Sequence, residues 1–246
     1  IENSLAGSVY ENYDNLIRFS DVAVAGGIKM RVEHSLLACS GASFDTIQTV
    51  YSHPQALAQC SDFLASHPDW RLVECSSTSD AAETVERKGS VHDAAIASQD
   101  ALRCGKGCAK LEVLKTGIEN NPRNYTRFLI ICARDAAQAK TELSRLSLQN
   151  SGVLTASFAF VAKNESGALY RCLGVFEHLR VNLTRLESRP VQGQPWRYMF
   201  YADAELTRGG TNIDEKEAQA LVADALSGLQ ESSDEVHLLG LYTESF

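Results

Sequence analysis

The chain of 246 residues is 44% hydrophobic and 22% charged, the balance of a globular protein and not of a disordered or collagenous one. That length suits two compact domains better than one. A formal charge of −8 without a basic stripe argues against a nucleic-acid partner; no apolar run nears the ~20 residues a spanning helix needs, so no membrane partner is expected either.

Up to about Arg134 short apolar runs alternate with helical stretches, the grammar of an α/β domain. A helix is predicted over Val9–Phe19, followed by extended segments at Val22–Val24, Ile28–Val32, Ser35–Ala38 and Thr46–Tyr51. Pro54 opens a helix at a position where its missing N–H is harmless, with Leu57, Phe63 and Leu64 on one face. A strand at Arg71–Glu74, a helix from near Ser77 and buried strands at Asp93–Ala97 and Tyr125–Ala133 complete a first domain, residues 1–135. Residues 136–152 are polar, without a sustained apolar period, and are expected to be a linker. The remainder, 153–246, reads as strand Thr155–Val161, helix Ala168–Leu179, strand Val181–Ser188, a turn, strand Tyr198–Ala204, helix Glu215–Leu229 and strand Val236–Leu241. That βαββαβ order is ferredoxin-like.

The seven cysteines (39, 60, 75, 104, 108, 132 and 172) are odd in number and scattered through apolar segments, which suits a reducing, cytoplasmic compartment. Cys104 and Cys108 are the one close pair, but their three-residue gap lacks a second pair, and the six histidines show no ligand spacing. Neither a metal nor a cofactor is expected. The sequence opens on Ile1 and not on Met, so it reads as a fragment or as lacking upstream residues.

Short motifs carry the reading further. Asn124-Tyr125-Thr126-Arg127-Phe128 resembles the Asn-x-Thr-Arg-Phe motif of prephenate dehydratases. Ile1-Glu2-Asn3-Ser4, followed by Gly7, resembles that family's Pro-Ile-Glu-Asn-Ser motif cut just after its proline. His34-Ser35-Leu36-Leu37, the stretch from Val50 to Leu57 with Gln59-Cys60, and Ser77-Thr78-Ser79 match in order and spacing. Gly167-Ala168-Leu169 and Glu187-Ser188-Arg189-Pro190 resemble the two effector-binding motifs of the ACT domain these enzymes carry. The resemblance implies a two-lobed, periplasmic-binding-protein-like catalytic domain with an incomplete first lobe, followed by an ACT regulatory domain.

It also implies a reaction. The family removes water and carbon dioxide from prephenate and leaves phenylpyruvate. Losing the ring hydroxyl and the carboxylate together creates an aromatic ring, so the driving force lies in the substrate. A protein need only hold two carboxylates and help the oxygen leave as water. Thr126 is the catalytic candidate: a threonine hydroxyl is a feeble acid, so it would act by hydrogen-bond polarisation of the departing oxygen. Arg127 reads either as a bidentate carboxylate clamp or as a salt bridge bracing the lobes. Phe128 reads as packing, with cleft shaping secondary, and Asn124 as an orienter of the threonine or a turn residue. Gln55 and the pair Ser77 and Thr78 sit at two helix starts, where free N–H groups favour an anion, although Ser77 or Thr78 alone also reads as an ordinary N-cap. Glu2, Asn3 and Ser4 would line the opposite wall, Glu2 orienting neighbours and not touching the dianion. His34 and His53 read as structural histidines.

In the second domain Gly167, Ala168, Leu169, Asn182, Glu187, Ser188, Arg189 and Pro190 are the effector-site candidates. Glu187 and Arg189 suit an amino acid's ammonium and carboxylate; the bland alternative is an edge-of-sheet salt bridge. The resemblance implies phenylalanine there, feedback inhibition, and a homodimer or dimer of dimers. Ser166 departs from the proline that often precedes Gly-Ala-Leu, and Leu102-Arg103-Cys104-Gly105 lacks the family's aromatic. The family's opening strand–helix segment is absent, so an incomplete cleft is expected. Arogenate dehydration and a non-catalytic phenylalanine sensor are the alternative functions.

Overall fold

The computed structural model describes residues 1–5, 7–8, 10–104, 111–134 and 152–245. The expected linker lies outside the described residues except for Gly152, as does Cys108 of the close cysteine pair. The first elements are β1 (Glu2–Asn3), β2 (Gly7–Ser8), α1 (Tyr10–Arg18), β3 (Val22–Arg31), β4 (Ser35–Cys39), β5 (Thr49–Ser52), α2 (Pro54–Gln59) and α3 (Ser61–Ala65). Next come β6 (Arg71–Glu74), α4 (Thr78–Lys88), β7 (Asp93–Ala97), α5 (Ala101–Cys104), β8 (Leu111–Lys115) and β9 (Tyr125–Ala133). The last are β10 (Leu154–Ala162), α6 (Ala168–His178), β11 (Asn182–Pro190), β12 (Tyr198–Glu205), β13 (Thr207–Arg208), β14 (Thr211–Asn212), α7 (Glu215–Ser232) and β15 (Ser233–Ser245).

The chain divides into two compact units, Arg31–Thr126 and the combination of Ile1–Met30 with Arg127–Phe246. This differs from a division near residue 136. The cause is strand pairing: β3 lies parallel to β15, with Gly240 opposite Val24, which draws the first thirty residues into the C-terminal sheet. Gly240 makes the approach possible, since a Cβ there would lie 2.1 Å from the Val24 carbonyl oxygen. The two expected segments Val22–Val24 and Ile28–Val32 are one strand.

In this unit the strand order is β11-β12-β10-β15-β3-β9-β1-β2. β10 is antiparallel to both β12 and β15 and is buried along most of its length. Its alternation explains two packed faces. Ala156, Phe158 and Phe160 point to α6 and α7, with Phe176, Leu221 and Leu229. Ala159 and Val161 point the other way, to Tyr13 and Leu16 of α1, Tyr201 and Leu239. The βαββαβ order from β10 to β15 is the one expected, with a small β13–β14 hairpin added and a last strand longer than Val236–Leu241.

The unit Arg31–Thr126 is built on the order β6-β5-β7-β4-β8. β5 is parallel to β6 and β7, while β4 runs antiparallel to β7 and β8. Central strands β4 and β7 are buried throughout because both faces are covered, which is why they read as unbroken apolar runs. Leu36, Val50 and Ile96 pack against α2, α3 and Trp70; Leu37, Tyr51 and Ala95 pack against Ala81, Ala82 and Val85 of α4. The α/β class expected from the sequence is the class observed. No helix among the described residues is long and apolar enough to cross a membrane.

Candidate active site

β9 carries the central motif. Asn124, just before it, is 1% exposed, and its carbonyl accepts a hydrogen bond from the Val32 N–H at 2.8 Å. Thr126 follows, half-buried, as the last residue of its unit, and Arg127 opens the return into the other. Successive strand residues point to opposite faces, so the hydroxyl and the guanidinium diverge.

Arg127 points into a cluster of carboxylates. Its Nε donates to Glu2 Oε2 at 2.9 Å, Nη1 to Glu244 Oε1 at 2.8 Å and Nη2 to Asp203 Oδ2 at 2.7 Å. Arg185 stands beside it: Nη2 meets Glu187 Oε2 at 2.8 Å, Nε lies 3.3 Å from Glu2 Oε1, and Nη1 lies 3.8 Å from Asp203 Oδ2. The guanidinium carbon of Arg185 sits 4.2 Å from the centre of the Tyr13 ring, a cation–π contact. Lys29 pairs with Glu244. Ser157 Oγ donates to Asp203 Oδ1 at 2.5 Å, which leaves Tyr242 OH as donor in its 2.8 Å bond to Ser157.

Burial would by itself lower the Arg127 pKa, yet Asp203, Tyr242, Tyr13 and Glu2 outweigh it and raise it. The same balance, with Tyr13 and Asp203 foremost among the raising groups, raises Arg185. Burial pushes the Tyr13 phenol up to about 12 despite the two guanidiniums nearby, with Asp203 and Glu2 adding to the rise. Burial, then Asp203, pushes Tyr242 up as well. Both phenols are therefore neutral near pH 7.

Arg127 is engaged in ion pairs, since each guanidinium nitrogen faces a protein carboxylate, all three from its own unit. Glu2 bridges the two arginines with its two oxygens. Asn3 Oδ1 accepts from the Leu5 N–H at 3.0 Å, and Ser4 is exposed in the same turn. Phe128, expected to pack, is 38% exposed: it falls on the same alternation as Thr126, away from Arg127's buried side.

In the unit Arg31–Thr126, Gln55 is exposed in the first turn of α2, its N–H donating to His53 Nδ1 at 3.2 Å. Ser77 caps α4 through the Asp80 N–H at 3.0 Å, and Thr78 is half-buried at the first helical position. Asp80 already places a carboxylate in that first turn, accepting from the Ser76 hydroxyl at 3.0 Å. His34 is structural, with Nε2 2.9 Å from Gln59 Oε1 and its N–H donating to Glu119 Oε2 at 3.0 Å. Among the described residues no group of three or more His, Cys, Asp or Glu side chains is arranged to hold a metal ion.

The effector candidates divide by strand face. Gly167, at φ +78°, caps α6, and Gly167, Ala168 and Leu169 line a concavity of about 250 Å³ with Trp196, Tyr198 and Phe200. On β11, Ser188 and Pro190 stand opposite Phe200 and Tyr198 and share their face. Glu187 and Arg189 stand opposite Tyr201 and Met199 and face the other way, Arg189 reaching Asp14 Oδ2 at 2.5 Å. Asn182 is exposed, 3.4 Å from Glu205 Oε2.

A family model described as prephenate dehydratase matches residues 1–136. The chain belongs to the prephenate dehydratase family. It is 33% identical over 247 residues to the bifunctional chorismate mutase/prephenate dehydratase of Escherichia coli strain K12, covering 98% of this chain and 56% of that relative. It is 31% identical over 251 residues to arogenate dehydratase/prephenate dehydratase 2, chloroplastic, of Arabidopsis thaliana, covering 98% of this chain and 59% of that one. The chain thus spans a little over half the length of these relatives. Among solved structures, prephenate dehydratase from Arthrobacter aurescens in complex with L-Phe superposes with a TM-score of 0.75 at 26% identity, over 96% of this chain and 71% of that one.

The sequence did not single out Asp203, Arg185, Glu244 or Tyr13. A signal was present for two members of the cluster: Ser157 and Asp203 are polar residues inside otherwise apolar strands, and a buried polar group requires a partner.

Proposed function

We propose that the protein containing this chain converts prephenate to phenylpyruvate, carbon dioxide and water, with Thr126 assisting departure of the ring hydroxyl. The supporting observation is the placement of Thr126 directly before an arginine held by three carboxylates, on a strand flanked by β3 and β1. A side chain of limited acidity polarises a leaving group well only when its backbone is fixed, and Arg127 fixes it. The carbon–carboxylate bond breaks, its electrons complete the ring, the carbon–oxygen bond breaks, and hydroxide takes one proton to leave as water. Ser77, Thr78 and Gln55, with Asn124, are proposed to hold substrate carboxylates or orient the threonine.

On this reading residues 1–135 belong to the catalytic domain, 136–152 to a linker and 153–246 to an ACT domain. Phenylalanine is the proposed effector, supported by the relative crystallised with L-Phe. The aromatic-lined concavity at Gly167 and the charged residues Glu187 and Arg189 face different sides of one sheet, so a complete effector site would combine two chains. An exposed Trp196 (85%) and Tyr170 (81%) beside that concavity suit a homodimer, or a dimer of dimers.

The test is Thr126→Ala in the full natural polypeptide: kcat for phenylpyruvate formation should fall ~10²–10³-fold, the loss typical of one transition-state hydrogen-bond donor. Unchanged kcat with intact fold would remove the reading. The Arabidopsis relative's double name keeps a second substrate open, and comparing kcat/KM for prephenate and arogenate decides between them.

A further inference from the structure

We propose that Arg185 is a positioning residue that couples the effector motif to Arg127, competing with a bound amino acid for Glu187. This rests on the reading above, in which Glu187 receives the effector's ammonium group. The argument starts from how the charges share partners. Arg185 is the more buried of the two arginines, 7% exposed at the side chain against 12% for Arg127. Its nitrogens are divided among three carboxylates, the most distant being Asp203 at 3.8 Å. Nη2 and Nε hold Glu187 at 2.8 and 3.3 Å, and Nε also lies 3.3 Å from Glu2 Oε1. Glu2 in turn gives its other oxygen to Arg127 at 2.9 Å. A continuous line of alternating charges therefore runs from Glu187, in the effector motif, through Arg185 and Glu2 to Arg127, the residue bonded to Thr126.

Glu187 lies at the open end of that line. Its side chain is 22% exposed, about the same as the 21% of Glu2. The remaining partner of Glu187 is a neutral hydroxyl, Ser8 Oγ, at 2.9 Å. An ammonium group arriving at Glu187 takes the oxygens that Arg185 holds. Arg185 cannot shed its charge, and in its buried setting it cannot go unpaired without large cost. It must lean further on Glu2 and Asp203. Glu2 then moves toward Arg185 and loosens its hold on Arg127, and the loss is felt in the strand that carries Thr126.

Competition gives the test its sign. Removing Arg185 frees Glu187 for the effector and at the same time cuts the line to Arg127. Affinity for phenylalanine should rise while inhibition weakens; damage to the site would weaken both together. In the full natural polypeptide, phenylalanine binding is measured by calorimetry and phenylpyruvate formation by steady-state rates, for the unaltered protein, Arg185→Gln and Arg185→Lys. Lysine keeps the charge and loses the fork, so it serves where glutamine impairs folding. The expected result for either variant is binding at least as tight as the unaltered protein's, with inhibitory coupling reduced ~5-fold or more, within the usual span of allosteric coupling. Binding and inhibition that fall together, or inhibition unchanged in both variants, would overturn the role of Arg185 and leave the effector reading standing. If the unaltered protein itself neither binds phenylalanine nor responds to it, the effector reading fails and this inference with it.

Discussion

Asp203→Asn is the sharpest test of the charge cluster. Asp203 is 2% exposed at the side chain and serves three groups: Arg127 at 2.7 Å, Arg185 at 3.8 Å and Ser157 at 2.5 Å. Asparagine keeps the shape but withdraws the charge on which both guanidiniums depend. Breaking a buried pair by removing one partner costs ~3–5 kcal/mol. Arg127 still has Glu2 and Glu244, so the low end applies, about 3 kcal/mol. For a chain of this size ~2–4 °C accompanies each kcal/mol, which gives a fall in melting temperature of roughly 6–12 °C by scanning calorimetry. Hydrogen exchange should locate the loss in β10 and β12 and leave β4 and β7 protected. The cycle with Arg127→Met should show a coupling of ~1 kcal/mol or more. A melting shift under ~2 °C, the scale of an ordinary surface change, would show that the carboxylate is not holding the arginines.

Two further outcomes follow from single contacts. Gly240→Ala drives a Cβ into the Val24 carbonyl at 2.1 Å, so urea unfolding should show at least the ~1–3 kcal/mol typical of overpacking, with β3 losing exchange protection first. Burial would raise the Glu119 carboxyl, but the His34 N–H and Arg31 hold its pKa below the usual carboxylate value. A depressed folded value means stability that is complete above the unfolded pKa and is lost as pH falls through the folded one. Glu119→Gln should therefore lower stability near pH 7, converge with the unaltered protein as pH falls below about 4.5 and so flatten the acid limb of the stability curve, as followed by unfolding of the two forms across that range.

Much of the architecture could be read from the chain. The βαββαβ order showed because each strand and helix has its own period, and β4 and β7 showed as apolar runs because both their faces are covered. The Asn124–Phe128 motif marked the strand on which the proposed chemistry rests. What did not show depends on partners far apart along the chain. Nothing near Val24 says that it will meet Gly240, and Arg127 could be given a substrate or an ion pair until Asp203 and Glu244 were placed beside it. Phe128 was misjudged for a related reason: an apolar run suggests packing on both faces, whereas β9 covers only some of its hydrophobic residues, leaving Ile131 57% exposed. Glu187 and Arg189 were read together as neighbours in a motif, and so they are, but only the pleat shows that Ser188 points away from both.

The parallel seam between β3 and β15 has a consequence for biosynthesis. The ribosome makes β3 well before β15, so that edge of β3 waits unpaired while the intervening chain emerges. Contacts so distant in sequence form slowly, and an unpaired edge is the usual seed of misassembly. Loss of β15, by nonsense mutation or nicking, should then harm solubility out of proportion to the mass removed.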